Sequence, residues 1–396
     1  MKTFGAPPID ISCLTMEAVS ATDLAGWERL RHHHPHGLSP LLSPSFAKTV
    51  SRLRRDVRVL IARKGGDVEA VLPVHARPFG FARPIGAPFD DLAGPLCAPR
   101  STVTMVDLLA GAGFGIYKAQ NAIQSPHQPE ADTHEAQVTY AIDRRDNPDG
   151  DLFEARKREH PKRFKNFRRL SNRLERDLGQ IDFRWGRPEP VRLARLLEWK
   201  SRQFQREGLL DITSATHSRA LLKAIADQRP EDFTALGGFV VELHVDGNLI
   251  AGHFGVREGA HFHSWISAYD PDCSKYAPGM VLLMNALSFM GEMGLDTYQL
   301  ANGHGHYKKY FATPGAPVIS RTAIAPGLKG TFHSARQAAT GLLDNAADNA
   351  PGARLVRRLD HIAVCEPSAL ARTREMAYAL VKRSGSKSAA AHPERA

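Results

Sequence analysis

The residues with the means to do chemistry in this 396-residue chain concentrate between positions 261 and 311. Residues 260–269 read as a strand, and a period of two puts His261, His263, Trp265, Ser267 and Tyr269 on one face and Phe262, Ser264, Ile266 and Ala268 on the other. The first set is the wetter, more reactive one. A histidine with an ordinary pKa near ~6.5 takes up a proton near neutral pH, so His263 is the first candidate for a general base and His304 the second. Tyr307 is a candidate proton donor to a leaving group, and the next residue, Lys308, a candidate partner for a phosphate. Pro278-Gly279 opens an apolar helical stretch. Proline suits helix entry, glycine lets a ligand approach the backbone, and the unpaired N–H groups of a helix N-terminus attract phosphate. Asp90 and Asp91, in a Pro/Gly-rich segment over residues 83–99, are candidates for contacts with hydroxyl groups.

Other clusters carry less. His32-His33-His34-Pro35-His36 has no carboxylate partner, and His261 and His263 have no third ligand at a suitable spacing, so no metal is expected. The four cysteines lie apart with no C-x-x-C pair, which fits a reducing cytoplasm. The N-terminus has no apolar core of a secretory signal, and the longest apolar stretch, 279–289, is too short to span a bilayer. The net charge of +10 is uneven: residues 151–180 hold ten basic and five acidic side chains, residues 331–396 ten and six. Excess charge confined to two segments points to local anion sites or an anionic membrane surface, and nucleic acid is not an expected partner.

These residues need a mixed α/β scaffold to position them. Residues 11–16 read as a strand and 23–31 as a helix capped by Thr22. Two apolar runs, 57–63 and 68–74, flank Lys64-Gly65-Gly66-Asp67, a hairpin turn. A helix follows at 102–110 and a strand at 115–119, and 141–150 is the linker candidate. Beyond it, 151–178 reads as one long basic helix with a stripe of Phe164, Phe167, Leu170, Leu174 and Leu178, and 191–207 as another helix. Strands at 238–245 and 249–256, joined by the tight hairpin turn Asp246-Gly247-Asn248, and a strand at 260–269 precede a helix at 279–293, a strand at 295–300, a short helix at 305–311 and a last strand at 318–325. The tail from residue 330 reads as helical.

The segments His263-Ser-Trp-Ile-Ser-Ala-Tyr269-Asp270-Pro271, Tyr276-Ala277-Pro278-Gly279, Leu295-Asp296-Thr297-Tyr298 and Gly303-His304-Gly305-His306-Tyr307-Lys308-Lys309-Tyr310-Phe311 resemble the CelD/BcsL-type branch of the GNAT superfamily. The basic helix and the 83–91 segment are similar to that family too, so the resemblance spans most of residues 10–325. It departs in two places: the common Gly-rich pyrophosphate loop is absent, and His304 stands where relatives often carry an acidic residue.

The resemblance implies an α/β (α+β) fold of two tandem GNAT-like domains, each a mixed, mostly antiparallel sheet flanked by helices. Residues 1–145 would be a non-catalytic copy and 146–329 the acyltransferase domain, followed by a helical basic appendage over 330–383 and a disordered tail over 384–396. The implied activity is transfer from acetyl-CoA or another acyl-CoA to an amino sugar in exopolysaccharide synthesis, in the cytoplasm or at the inner membrane's edge. Pro278, Gly279, Met280, Val281 and Lys308 would hold the CoA, while Trp265, Tyr269, Asp90, Asp91 and Asn302 would face the sugar. His263, Tyr307 and His304 would do the chemistry. Two other readings compete: a FemX-like enzyme using aminoacyl-tRNA, and a GNAT-fold regulator without catalysis. In the tail, Arg354 lies three and four residues before Arg357 and Arg358, so one helix face would present three guanidinium groups to an anionic lipid or a cyclic dinucleotide.

Overall fold

The computed structural model describes residues 8–123, 134–147, 151–300 and 307–344. In the N-terminal half, β1 (Ile9–Leu14) leads to helices α1 (Ala21–His33) and α2 (Pro44–Leu53), a hairpin of β2 (Val57–Lys64) and β3 (Asp67–Arg77), then β4 (Phe81–Pro84), β5 (Leu96–Cys97), α3 (Met105–Gly111) and β6 (Ile116–Ile123). The cap of α1 is Ser20, which forms a capping box with Asp23, rather than the expected Thr22. The chain goes on through β7 (His134–Asp143), α4 (Leu152–Glu159) and α5 (Pro161–Leu178) to β8 (Ile181–Gly186), α6 (Pro190–Arg206) and α7 (Thr216–Asp227). There follow β9 (Gly237–Val245), β10 (Asn248–Glu258), β11 (His261–Tyr269), α8 (Pro278–Phe289), β12 (Thr297–Gln299), α9 (Lys308–Phe311), β13 (Thr313–Ile324) and α10 (Leu328–Asp344).

Both expected hairpins form, for the expected reason. Gly65 and Gly66 turn with φ of 60° and 94°, and Asp246 and Gly247 with 44° and 77°, the paired left-handed conformations that a two-residue hairpin needs. Three expectations are corrected. The basic stretch is two helices, because His160 leaves helical geometry and Pro161 opens a new helix at its first position. Its apolar stripe stops at Leu174, since Leu178 is 42% exposed. The supposed linker also begins inside β7, whose last three residues pair with β12.

The strands form one 13-stranded sheet in the order β1-β2-β3-β4-β6-β13-β7-β12-β11-β10-β9-β8, with β5 beside β3. Read from both ends inward, the order repeats: a strand, a hairpin, then a strand running parallel to its neighbour. In one half that parallel pair is β4 with β6, in the other β11 with β12. The last strand of each half crosses over, so that β13 pairs with β6 and β7 with β12. An exchange of this kind commits both halves to one sheet.

The apolar packing does the same. One core cluster joins Trp27, Phe46 and Val59 of the first half to Leu193, Leu222 and Phe254 of the second. A second packs Phe164 and Phe167 of α5 and the buried side of α8 onto Phe239, Val241 and Phe262. Each such side chain contributes roughly 1.5–3 kcal/mol on burial. Arg31 of α1 adds a polar tie, reaching Glu258 at the end of β10 at 2.7 Å. No described helix is long and apolar enough to cross a membrane.

Candidate active site

Two features of β11 set the site. It pairs with β12 only from His261↔Thr297 to His263↔Gln299, after which the strands separate. The register with β10 then slips, with Phe254 facing Ile266 and Gly255 facing Ser264, so Trp265 is an extra, unpaired residue. Gly255 has no room for a Cβ against the His263 carbonyl at this point. The bulge overturns the simple alternation. Trp265 and Ile266 both pack toward the core shared by the two halves. Ser267 instead turns to the opposite face, where its hydroxyl meets His253 Nε2 at 2.8 Å and His253 Nδ1 meets the Tyr298 hydroxyl at 2.6 Å.

His263 is 1% exposed and its Nε2 lies 3.1 Å from Asp91 Oδ2. Asp91 comes from the loop after β4, so the pair bridges the halves, and it leaves His263 Nδ1 buried without a hydrogen-bond partner. Trp265, two residues on, stacks on Phe89 at 5.1 Å between ring centroids, and its Nε1 is also buried without a partner. Buried polar atoms without a partner in the protein are uncommon, and each needs a physical reason.

Lys308, at the start of α9, is 7% exposed. Burial pushes its pKa down to about 8, with the positive Lys200 of α6 lowering it further and Asp91 pulling it up. Burial, with Lys200 and Lys308 nearby, also holds His253 down at about 3, so His253 is neutral at physiological pH. Tyr307 packs on the core under α8, and burial raises its hydroxyl pKa. An acid, a histidine and a buried cation thus meet where the halves join. This is the equipment for taking a proton from a nucleophile and stabilising an oxyanion.

The helix after the bulge has an open N-terminus. Ala277 precedes α8 in a left-handed conformation (φ 49°, ψ 56°) with no side-chain cap, and no acidic residue occupies the first turn. A Cβ built at Gly279 meets nothing within 4 Å. The Met280 amide bonds the Ala277 carbonyl at 2.9 Å, and the Val281 side chain is fully buried in the core. In the first half the matching helix, α3, is closed. Asp107 accepts from the Thr104 backbone at 2.8 Å while the Thr104 hydroxyl accepts from the Asp107 amide at 3.1 Å, so a carboxylate already fills that terminus.

The candidates from the sequence therefore divide. His263, Asp91, Trp265 and Lys308 come together, with Asp90 beside Asp91 and Tyr307 beside Lys308. Tyr269 is 40% exposed and lines a separate cavity of about 250 Å³ with Trp199, Arg202, Gln203 and Arg206. Pro278, Gly279 and Met280 start α8. His304, Asn302, Arg354, Arg357 and Arg358 lie outside the described residues. Among the described residues, no three His, Cys, Asp or Glu side chains are grouped to hold a metal ion. Lys200 and His253 escaped sequence reasoning. Their one signal is a polar residue set on otherwise apolar faces, Lys200 beside Leu196 and Trp199 and His253 beside Phe254.

Comparison with known proteins finds a family resemblance over part of the chain. Residues 161–309 match the Acetyltransferase (GNAT) domain. The sequence matches no curated protein with which it was compared. Among solved structures it is similar to FemX, with a TM-score of 0.52 at 12% identity, over 79% of this chain and 98% of that one. A tandem GNAT protein from the clavulanic acid biosynthesis pathway aligns with a TM-score of 0.46 at 12% identity, over 81% of this chain and 100% of that one. The C-terminal DUF2156 domain of a putative lysylphosphatidylglycerol synthetase from Agrobacterium fabrum aligns at 0.45 and 12%, over 80% and 96%. Residues 161–309 are thus similar to a GNAT acetyltransferase domain, and they sit within a fold of two GNAT-like halves.

Proposed function

We propose that the protein is an acyl-CoA-dependent N-acyltransferase of the CelD/BcsL type whose acceptor is an amino sugar of polysaccharide synthesis. The observation that carries this reading is the Asp91–His263 pair, which joins the two halves and leaves His263 Nδ1 without a partner. With a neutral imidazole, the Asp91 carboxylate accepts from Nε2–H, which fixes the tautomer and leaves Nδ1 as the basic nitrogen. The acceptor's amine gives its proton to that nitrogen as it attacks the acyl carbon. Lys308, held cationic at pH 7 by Asp91, stabilises the oxyanion that forms. Tyr307 is the proton donor for the departing thiolate.

Acyl-CoA supplies the thioester that the amine attacks. Its pyrophosphate fits the uncapped start of α8, where Gly279 leaves open space and no carboxylate competes. The closed terminus of α3 supports a non-catalytic role for the first half, whose contribution is Asp91 and the Phe89 ring under Trp265. The test is transfer itself. Purified protein with acetyl-CoA and a panel of amino sugars is followed by thiol release and by mass of the product. An N-acetylated sugar formed in step with free CoA, and lost in His263→Ala, is the expected result. Binding of acetyl-CoA with no transfer to any amine would point to a regulator of the same fold.

A further inference from the structure

The outward side of α5 takes no part in the transfer step. Phe164, Phe167 and Leu174 bury the other side in the core. At 3.6 residues per turn, Lys162, Lys165, Arg168, Arg169, Arg173 and Arg176 fall within an arc of about 140° opposite those three, and all six are exposed. No acidic residue interrupts the arc, and Glu175 and Asp177 stand at its two borders. Most of the charge is left uncompensated. Lys162, Lys165 and Arg168 form no ion pair among the described residues, and Arg169 bonds only the Asn166 side-chain oxygen, at 3.1 Å. Asp177 serves the other two, at 2.8 Å from Arg176 and 3.5 Å from Arg173.

Neighbouring elements extend the row. Arg173 of α5 and Lys275, from the segment before α8, both lie over the Tyr276 ring, 5.5 and 4.9 Å from its centroid. Toward the other end, Arg163 of α5 and Lys309 of α9 lie over the Tyr310 ring, at 5.0 and 5.5 Å. Lys275 and Lys309 are exposed. Lys275 stands three residues before Pro278 and Lys309 directly after Lys308, so the row runs beside the transfer site. The 18 residues of α5 make it about 27 Å long, at 1.5 Å per residue. A line of that length outruns any small anion and matches charge spread over a plane. α5 lies on the body by its apolar side, so its cations face outward together, as a flat leaflet of acidic lipids requires. Single-stranded nucleic acid calls for exposed aromatic rings to stack on its bases, and here Phe164, Phe167 and Tyr276 are buried.

We propose that this face of α5, with Lys275 and Lys309, docks the protein by charge on a membrane surface of acidic phospholipids, with no segment inserted. The inference goes beyond the transferase reading and stands without it, since the contact involves neither acyl donor nor acceptor.

Full-length protein is sedimented with vesicles of phosphatidylcholine alone and of phosphatidylcholine mixed equally with phosphatidylglycerol. Binding to the acidic vesicles only, weakening as salt rises, is expected. Each cation near such a surface contributes a factor of about five, so Lys162→Gln, Lys165→Gln, Arg168→Gln and Arg169→Gln together weaken binding at least about 100-fold. Exposed glutamines leave the fold alone, which an unchanged melting temperature verifies. The exchange of Lys162→Arg, Lys165→Arg, Arg168→Lys and Arg169→Lys keeps the charge and keeps the binding. Equal binding to both kinds of vesicle, none to either, binding that survives the four glutamines, or binding lost in the exchanged protein overturns the proposal. So does capture of a DNA duplex in place of acidic vesicles, which assigns the face to nucleic acid.

Discussion

Asp91→Asn isolates the charge of the dyad while keeping its shape. Asparagine retains the side-chain length and the 3.1 Å approach to His263 Nε2, so the fold and the stack of Trp265 on Phe89 are unaffected. The anion is lost. In the transition state His263 becomes a cation beside Asp91, and two unit charges ~4 Å apart attract by about 4 kcal/mol at an effective dielectric of about 20. The Asp91 side chain is 23% exposed, so solvent screens part of this. About 2–3 kcal/mol remains, a fall in kcat of roughly 30- to 150-fold. KM for the donor stays near the wild-type value, because the lost interaction develops only in the transition state. Removal of Asp91 also removes the charge that raises the Lys308 pKa, so rates are compared at each enzyme's own pH optimum. The assay is thiol release at saturating acceptor. His263→Ala costs about 10²- to 10⁴-fold, and the double variant is no slower than His263→Ala alone, as residues acting as a unit require. A loss below threefold in Asp91→Asn, or penalties that simply multiply in the double variant, would refute the dyad.

Other outcomes follow from the same site and core. If cationic Lys308 stabilises the oxyanion, kcat/KM falls as pH rises through about 8, and Lys308→Arg carries that limb to higher pH; a limb that does not move assigns it to another group. Tyr307→Phe lowers kcat with acyl-CoA affinity nearly intact, and full turnover in that variant leaves Tyr307 with packing alone. His75 and His253 are buried and held below the ordinary 6.5, at about 4 and about 3. The unfolded chain therefore binds protons that the native state refuses, and stability present above pH 6.5 is lost as pH falls toward those values. Urea denaturation between pH 7 and 4 reads this loss, and stability flat across that range would contradict it.

What the sequence made legible was local. Gly65-Gly66 and Asp246-Gly247 announced their hairpins, and Pro278 announced the start of α8. His263 stood out by residue type and Asp91 by its place in a Pro/Gly segment. Their pairing did not stand out, because the two are 172 residues apart and nothing near either one encodes the contact. The exchange of β7 and β13 was hidden for the same reason. Each strand satisfies its backbone on a neighbour from the other half, and β7, with His134, Glu135, Gln137 and Thr139 in its sequence, lacks the apolar run that marks a central strand. The bulge at Trp265 left no glycine or proline in β11 itself. Its trace is Gly255 on the facing strand, where the backbone passes too close for a side chain.

The central claim, that the second half binds an acyl-CoA at the start of α8, is tested most directly by titrating acetyl-CoA into the wild-type protein and into Gly279→Val. A Cβ at this position meets nothing within 4 Å in the protein, so valine is expected to leave the fold and its melting temperature essentially as they are. The account predicts saturable one-to-one binding to the wild type, weakened at least tenfold in the variant because the new side chain stands where the pyrophosphate approaches the backbone. Equal affinity in a folded Gly279→Val protein would contradict the placement of the donor, and no binding to the wild type would contradict the claim itself.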